Sequence, residues 1–218
     1  WLRDETITVG PPYYNKWMVP FGLILLFTTG VGPLLAWRKA TGANLVRAFR
    51  WPVLAAAVVL VLHLLLGERA GFAPFVEWRE LHDTTPYRIL AAIYSVAPLA
   101  SSTLCTFVLA TIVQEFWRGT AVRRRTTKES IPVALVNLVS RARRRYGGYI
   151  VHLGVVSMFV GFTGTAWDEE REASLRPGQS MEVGGYEFRY DRVRTEVDPN
   201  KRAIYADVTI LRDGEEIG

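Results

Sequence analysis

Charge is missing from four long stretches of this 218-residue chain: residues 18–37, 52–66, 89–113 and 149–167 contain no Asp, Glu, Lys or Arg. Cysteine is nearly missing too. Cys105 lies inside the third stretch, so no intrachain disulfide can form, and one thiol does not report the redox compartment. Histidine is scarce, with only His63, His82 and His152. No phosphate-binding loop, catalytic carboxylate pair, zinc-ligand spacing or nucleophile triad is visible. No internal repeat, low-complexity tract or cleavable signal peptide stands out. The chain opens on Trp1 rather than Met, which reads as a piece of something longer.

What is present is apolar length. A helix crossing the hydrocarbon needs about 20 apolar residues. Three of the charge-free stretches are long enough, and residues 52–66 become adequate with Trp51 and its flanks as interface anchors. Net charge is +5, but the basic groups are sorted by loop rather than arranged for nucleic acid. Arg38, Lys39, Arg47 and Arg50 stand without an acid between the first two spans. Residues 114–148 carry nine basic side chains against Glu115 and Glu129. The tail after Trp167 holds thirteen acids and eight bases. The positive-inside rule therefore puts loops 38–50 and 114–148 in the cytoplasm and both ends of the chain outside. The expected fold is an all-α polytopic membrane region of four transmembrane helices, residues 17–167. An outside segment, 1–16, precedes it, and a small β-rich extracytoplasmic domain, 168–218, follows.

Local signals refine this reading. Pro11 and Pro12 argue against regular helix in the first segment. Gly30, Gly32 and Pro33 predict a kink or a close helix contact. Ser101, Ser102, Thr103 and Thr106 after Pro98 predict a helix–helix interface. In the second basic loop, Ser130 reads as an N-cap followed by Pro132. Leu135, Leu138, Val139 and Ala142 then recur at helical spacing, which predicts a short amphipathic helix on an anionic leaflet. Gly147 and Gly148 are expected to end it and turn the chain into the last span. After Trp167 the period changes to two. Residues 181–183, 186–193 and 203–211 read as strands, joined by turns at Gly184-Gly185, Asp198-Pro199-Asn200 and Asp213-Gly214. The sequence stops where a pairing strand is expected, so the β domain reads as cut short.

His152 is the most informative residue. It is the fourth residue of the last charge-free stretch, roughly 5 Å below the boundary on helical rise. An ionisable group there is costly and usually has a task. An interhelical hydrogen bond, proton transfer and metal or haem ligation all fit neutral imidazole. Gly148, four residues earlier on the same face, leaves room for a flat group. His63 reads as a polar helix contact near the outer end of its span, and His82 as a solvated loop residue. His63 and His152 differ in depth by about 13 Å on helical rise. That is too far for both to bind one iron, whose two nitrogens stand roughly 4 Å apart. Arg143, Arg144 and Arg145 read first as topology determinants and headgroup contacts, and more sharply as partners of a haem propionate. Trp17, Trp37, Trp51 and Trp167 read as interface anchors.

The segment Arg-Arg-Arg-Tyr-Gly-Gly-Tyr-Ile-Val-His-Leu-Gly-Val-Val-Ser-Met-Phe-Val-Gly-Phe-Thr-Gly-Thr-Ala, residues 143–166, closely resembles the carboxy-terminal part of the CcmF family. Thr8-Val9-Gly10-Pro11-Pro12-Tyr13-Tyr14-Asn15 and the Gly32-Pro33-Leu34…Trp37 stretch are similar in the same order. The resemblance implies a bacterial inner-membrane haem lyase subunit of cytochrome c maturation, with a haem b between two transmembrane histidines. On this reading His152 is the more carboxy-terminal axial ligand. The other ligand and the tryptophan-rich haem-handling segment belong to the amino-terminal part. The implied partners are a periplasmic haem chaperone, thioredoxin-like and repeat-containing maturation subunits, apocytochrome c and membrane lipid, with no nucleic acid. The haem b would reduce the incoming haem iron, with quinol as a proposed donor. This piece alone is not expected to catalyse ligation. A paralogue devoted to a nitrite reductase cytochrome shares the same features. Competing readings are a cofactor-free scaffold whose β tail docks maturation partners, and a transporter, against which the charge-free spans speak.

Overall fold

The structure, a computed structural model, describes residues 11–35, 42–76, 85–169 and 171–218. Residues 1–10, Trp37, Arg38, Lys39 and His82, which carry several of the readings above, lie outside the described residues. The chain divides after Trp167 into two compact units.

The first unit is helical. Helix α1 spans Pro11–Val31 and α2 Gly42–Leu66. Helix α3 spans Thr85–Ser95 and α4 Ala97–Thr127. Helix α5 spans Ile131–Arg141 and α6 Arg143–Gly164, followed by a 3₁₀ turn, Thr165–Trp167. Among the described residues four helices are long and apolar enough to cross a membrane, Trp17–Leu34 within and beyond α1, α2, α4, and α6 with its 3₁₀ turn. The chain is a multi-pass membrane protein.

Four sequence expectations are corrected. Pro11 and Pro12 do not block helix but open α1, because first-turn N–H groups have no intrahelical partner for proline to remove. The third charge-free stretch is not one helix. Val96 and Pro98 divide it, and the span runs from Ala97 to Thr127, since a proline in the first turn starts a helix but cannot continue the preceding one. Gly147 and Gly148 do not turn the chain. The break falls at Ala142 (φ −119°, ψ 47°), and both glycines lie inside α6. Arg143, Arg144 and Arg145 are therefore its first residues. The apolar stripe of α5 does not simply face lipid. Leu138, Val139 and Ala142 pack against the helix core, while Ile131, Val133 and Val136 remain exposed.

Helix α4 is the hub, packing against α1, α2, α5 and α6. Leu26, Ala56, Cys105, Phe107, Val108, Ile112, Tyr149 and Val156 form the buried core. The expected close approach at Gly30 is real, because a Cβ there would lie 2.6 Å from the Phe107 ring. Pro52, fully buried inside α2, cannot donate to the carbonyl of Ala48 four residues back. Gln114 Nε2 of α4 fills that place, 2.9 Å from Ala48 O. A proline within an apolar helix thus becomes a helix–helix tie.

The second unit is an antiparallel meander of β1 (Ser180–Val183), β2 (Tyr186–Asp198), β3 (Lys201–Arg212) and β4 (Glu215–Glu216), paired in chain order. Positive φ at Gly184, Gly185, Asp213 and Gly214 suits the two-residue turns read from sequence. Between the pairs Tyr190↔Val208 and Arg192↔Asp207, Asp191 is an extra residue, a bulge. Without it Tyr190 and Val193 would point to opposite faces. With it, Phe188, Tyr190, Val193 and Val197 share a face with Ile204, Ala206, Val208 and Ile210. Thr209 Oγ1 donates to Asp191 Oδ2 at 2.6 Å and Arg189 Nε to Oδ1 at 2.8 Å. These bonds hold the Asp191 carboxyl below its ordinary pKa, Thr209 first and Arg189 second.

Candidate functional site on the α4–α6 seam

Polar contacts mark the seam between α4 and α6 along its length. Towards the end that the charge rule places outside, Ser101 Oγ and Thr163 Oγ1 bond at 2.6 Å. Further along, Cys105 Sγ approaches Val156 O at 4.0 Å. At the basic end, Arg145 Nη2 donates to Glu115 Oε2 at 2.6 Å and Tyr149 OH to the same oxygen at 3.3 Å. Residues 145, 149, 152, 156 and 163 recur at three-, four- and seven-residue spacing, which is one face of a helix. His152 therefore stands on the seam, between Tyr149 and Val156.

The His152 side chain is half-buried, and its Nδ1 is fully buried with no hydrogen-bond partner. Among the described residues it makes no hydrogen bond to another helix. Leaving such an atom unpaired costs about 1–3 kcal/mol, and an imidazole nitrogen without a protein partner is free to ligate. Gly148 lies one turn before His152 on the same helical face. A Cβ added at Gly148 would meet nothing within 4 Å, and the same holds at Gly154. An imidazole nitrogen left without a protein partner has the chemistry of a haem ligand. Among the described residues no three His, Cys, Asp or Glu side chains cluster to hold a bare metal ion.

His63 is engaged elsewhere. Its Nε2 donates to Phe72 O at 3.0 Å, and Nδ1 pairs with Ser102 Oγ at 2.7 Å. Trp167 packs beside it, ring centres 6.2 Å apart, and donates Nε1–H to Ala73 O at 3.0 Å. His63 is thus a structural polar contact, as its position in the sequence suggested. Ser102 and Ser101 are neighbours, so His63 lies near the level of Thr163. Eleven residues separate that level from His152, about 16 Å of rise, and the two histidines do not meet.

Glu115 was missed by sequence reading, which left it in a loop. It is buried, with 7% of its surface exposed, and its partners are Arg145, Tyr149 and, more distantly, Arg118 Nη1 at 3.5 Å. The available signal was the i, i+4 spacing of Arg145 and Tyr149 on the face that carries His152. Arg145 is thereby tied to a carboxylate of the protein, and Arg143 Nε donates to Ser140 O at 3.1 Å.

Together these features define a class: a polytopic membrane protein with an imidazole on an internal helix seam and an antiparallel sheet beyond its last span. Residues 166–218 match the family described as the CcmF C-terminal beta-sandwich. The chain is 26% identical over 217 residues to the cytochrome c-type biogenesis protein CcmF of Pseudomonas aeruginosa, covering 99% of the chain and 28% of that protein. It is 26% identical over 219 residues to the cytochrome c-type biogenesis protein CycK of Bradyrhizobium diazoefficiens, covering 99% and 29%. Against CcmF of Escherichia coli K12 the identity is 26% over 216 residues, covering 96% and 27%. No solved structure matches the chain significantly. Residues 166–218 thus match the CcmF carboxy-terminal family, and the chain as a whole corresponds to the carboxy-terminal part of the CcmF and CycK proteins it is similar to. It spans a little over a quarter of the length of these relatives.

Proposed function

We propose that this chain is part of a haem lyase of cytochrome c maturation, and that His152 supplies one axial ligand to a haem b in the membrane. The observation that carries this is the buried Nδ1 of His152, which has no hydrogen-bond partner, on the seam of α4 and α6. Haem bound there would supply one-electron chemistry, tuned by its axial ligands. The chain's own contribution is to hold the imidazole on a seam fixed by Glu115, Arg145 and Tyr149, with no side chain at Gly148 one turn away. The second ligand comes from the rest of the protein. The whole protein would take haem from a periplasmic chaperone and, with thioredoxin-like and repeat-containing subunits, attach it to apocytochrome c. Quinol would supply electrons. The setting is the bacterial inner membrane, with the tail in the periplasm.

Spectra of the intact purified protein test the ligand assignment. His152→Ala should lose or shift the reduced haem b bands, with protein yield unchanged. Unaltered bands and unaltered iron coordination would remove His152 from the iron and leave the cofactor-free scaffold as the better reading.

A further inference from the structure

Helix α4 has 31 residues, about 46 Å of rise, whereas a hydrocarbon core about 30 Å thick needs about 20. Its last third therefore stands at headgroup level. There α4, α5 and α6 enclose a cleft of about 570 Å³. Arg118, Arg123 and Arg145 line it together with Glu115, and Val122 and Leu138 supply apolar wall. Arg123 is neutralised by a two-pronged bond to Glu129, 2.7 and 2.8 Å. Arg118 and Arg145 share the single carboxylate of Glu115, which leaves one positive charge over. Arg118 is the looser partner, at 3.5 Å, and its Nη2 donates to Arg47 O at 3.4 Å, both long bonds that leave the other N–H groups of its five-donor guanidinium available. The wall residue Val122 is 65% exposed, and outside the lining Trp117 of α4 is 65% and Val136 of α5 67% exposed. These are the side chains of an interface that borders acyl chains.

We propose that this cleft binds the phosphate headgroup of an anionic phospholipid. The guanidinium forks match phosphate oxygens, the unbalanced charge selects an anion, and the apolar rim accepts the glycerol and upper acyl chain. A free phosphate would satisfy the charge but not use the rim. The site lies at the basic end of the seam, and the proposal does not depend on haem at His152.

Native mass spectrometry of the intact protein, stripped of lipid in detergent, tests it. Phosphatidylglycerol, phosphatidylcholine with the same chains, and inorganic phosphate are supplied in parallel. Phosphatidylglycerol should be retained about tenfold over phosphatidylcholine, the scale of one charge-assisted bond. Arg118→Gln should abolish that preference. Thr126→Trp, which fills the cleft without touching a charge, should abolish it too, and it serves if the first variant folds poorly. Arg144→Gln, on an exposed residue outside the cleft, should leave it intact. Equal retention of the two lipids would overturn the proposal. So would an equal loss in R144Q and R118Q, or displacement of the lipid by equimolar phosphate.

Discussion

Glu115 shows how one side chain organises a membrane seam. Its carboxylate accepts from Arg145 and Tyr149 on the neighbouring helix, and Arg145 is largely solvent-facing, its side chain 63% exposed. Exposure limits what the pair contributes, so Glu115→Ala should cost about 1–2 kcal/mol, read as a lowered thermal midpoint in detergent. Glu115→Gln should recover part of that loss, because an amide oxygen still accepts. An unchanged midpoint in E115A would show that the seam does not need this carboxylate. Acid provides a second residue-scale test. Asp191 and Asp207 in the sheet and Glu129 before α5 all have pKa values below their ordinary ones. The first causes are the hydrogen bonds from Thr209, Arg192 and Arg123 respectively. A lowered folded pKa means the contribution is complete above the ordinary carboxylate range and disappears as pH falls through the lowered value. Amide protection in β2 and β3, taken relative to the intrinsic exchange rate at each pH, should therefore be constant from neutrality to about pH 5 and fall below about pH 4. Protection that holds unchanged into stronger acid would contradict this.

At the scale of the element, glycines separate into those that are touched and those that are not. A Cβ at Gly30 would overlap Phe107, whereas one at Gly32, two residues on, meets nothing within 4 Å. Gly30→Ala should therefore destabilise by roughly 1–3 kcal/mol through overpacking, and Gly32→Ala should be close to neutral. Equal effects in a thermal melt would refute the α1–α4 packing. The four spans were legible in the sequence because lipid demands length and apolarity, and both are one-dimensional properties. Helix boundaries at prolines and glycines were less so. Pro98 reads the same whether it kinks one helix or begins another, and only the break at Val96 decides. Gly147 and Gly148 signalled a turn on propensity, but packing of α6 on α4 outweighs that penalty of about 1 kcal/mol per glycine. The two-residue turns of the sheet were legible because Gly-Gly and Asp-Gly dictate their own backbone. The bulge was not, because Asp191 looks like any outward-facing residue until its register is known.

For the molecule as a whole, loop charge gives a topology that labelling can check. Cys105 is buried, so an introduced thiol reports alone. Arg141→Cys, at the exposed end of α5, should resist a membrane-impermeant maleimide in intact spheroplasts. Glu215→Cys in the sheet should react. The reverse pattern would invert the positive-inside assignment. His152 was legible as a candidate from depth and spacing alone. Its lack of a hydrogen-bond partner was not, because that depends on what α4 fails to present opposite it. The bulge in β2 carries a last consequence, for kinship and drift. A hairpin whose faces are kept aligned by one surplus residue can absorb insertions or losses between Tyr186 and Asp198 only in twos, or singly by erasing the bulge. Length differences among descendants of this sheet should therefore be even wherever an aspartate still fills that place, and odd where it has vanished.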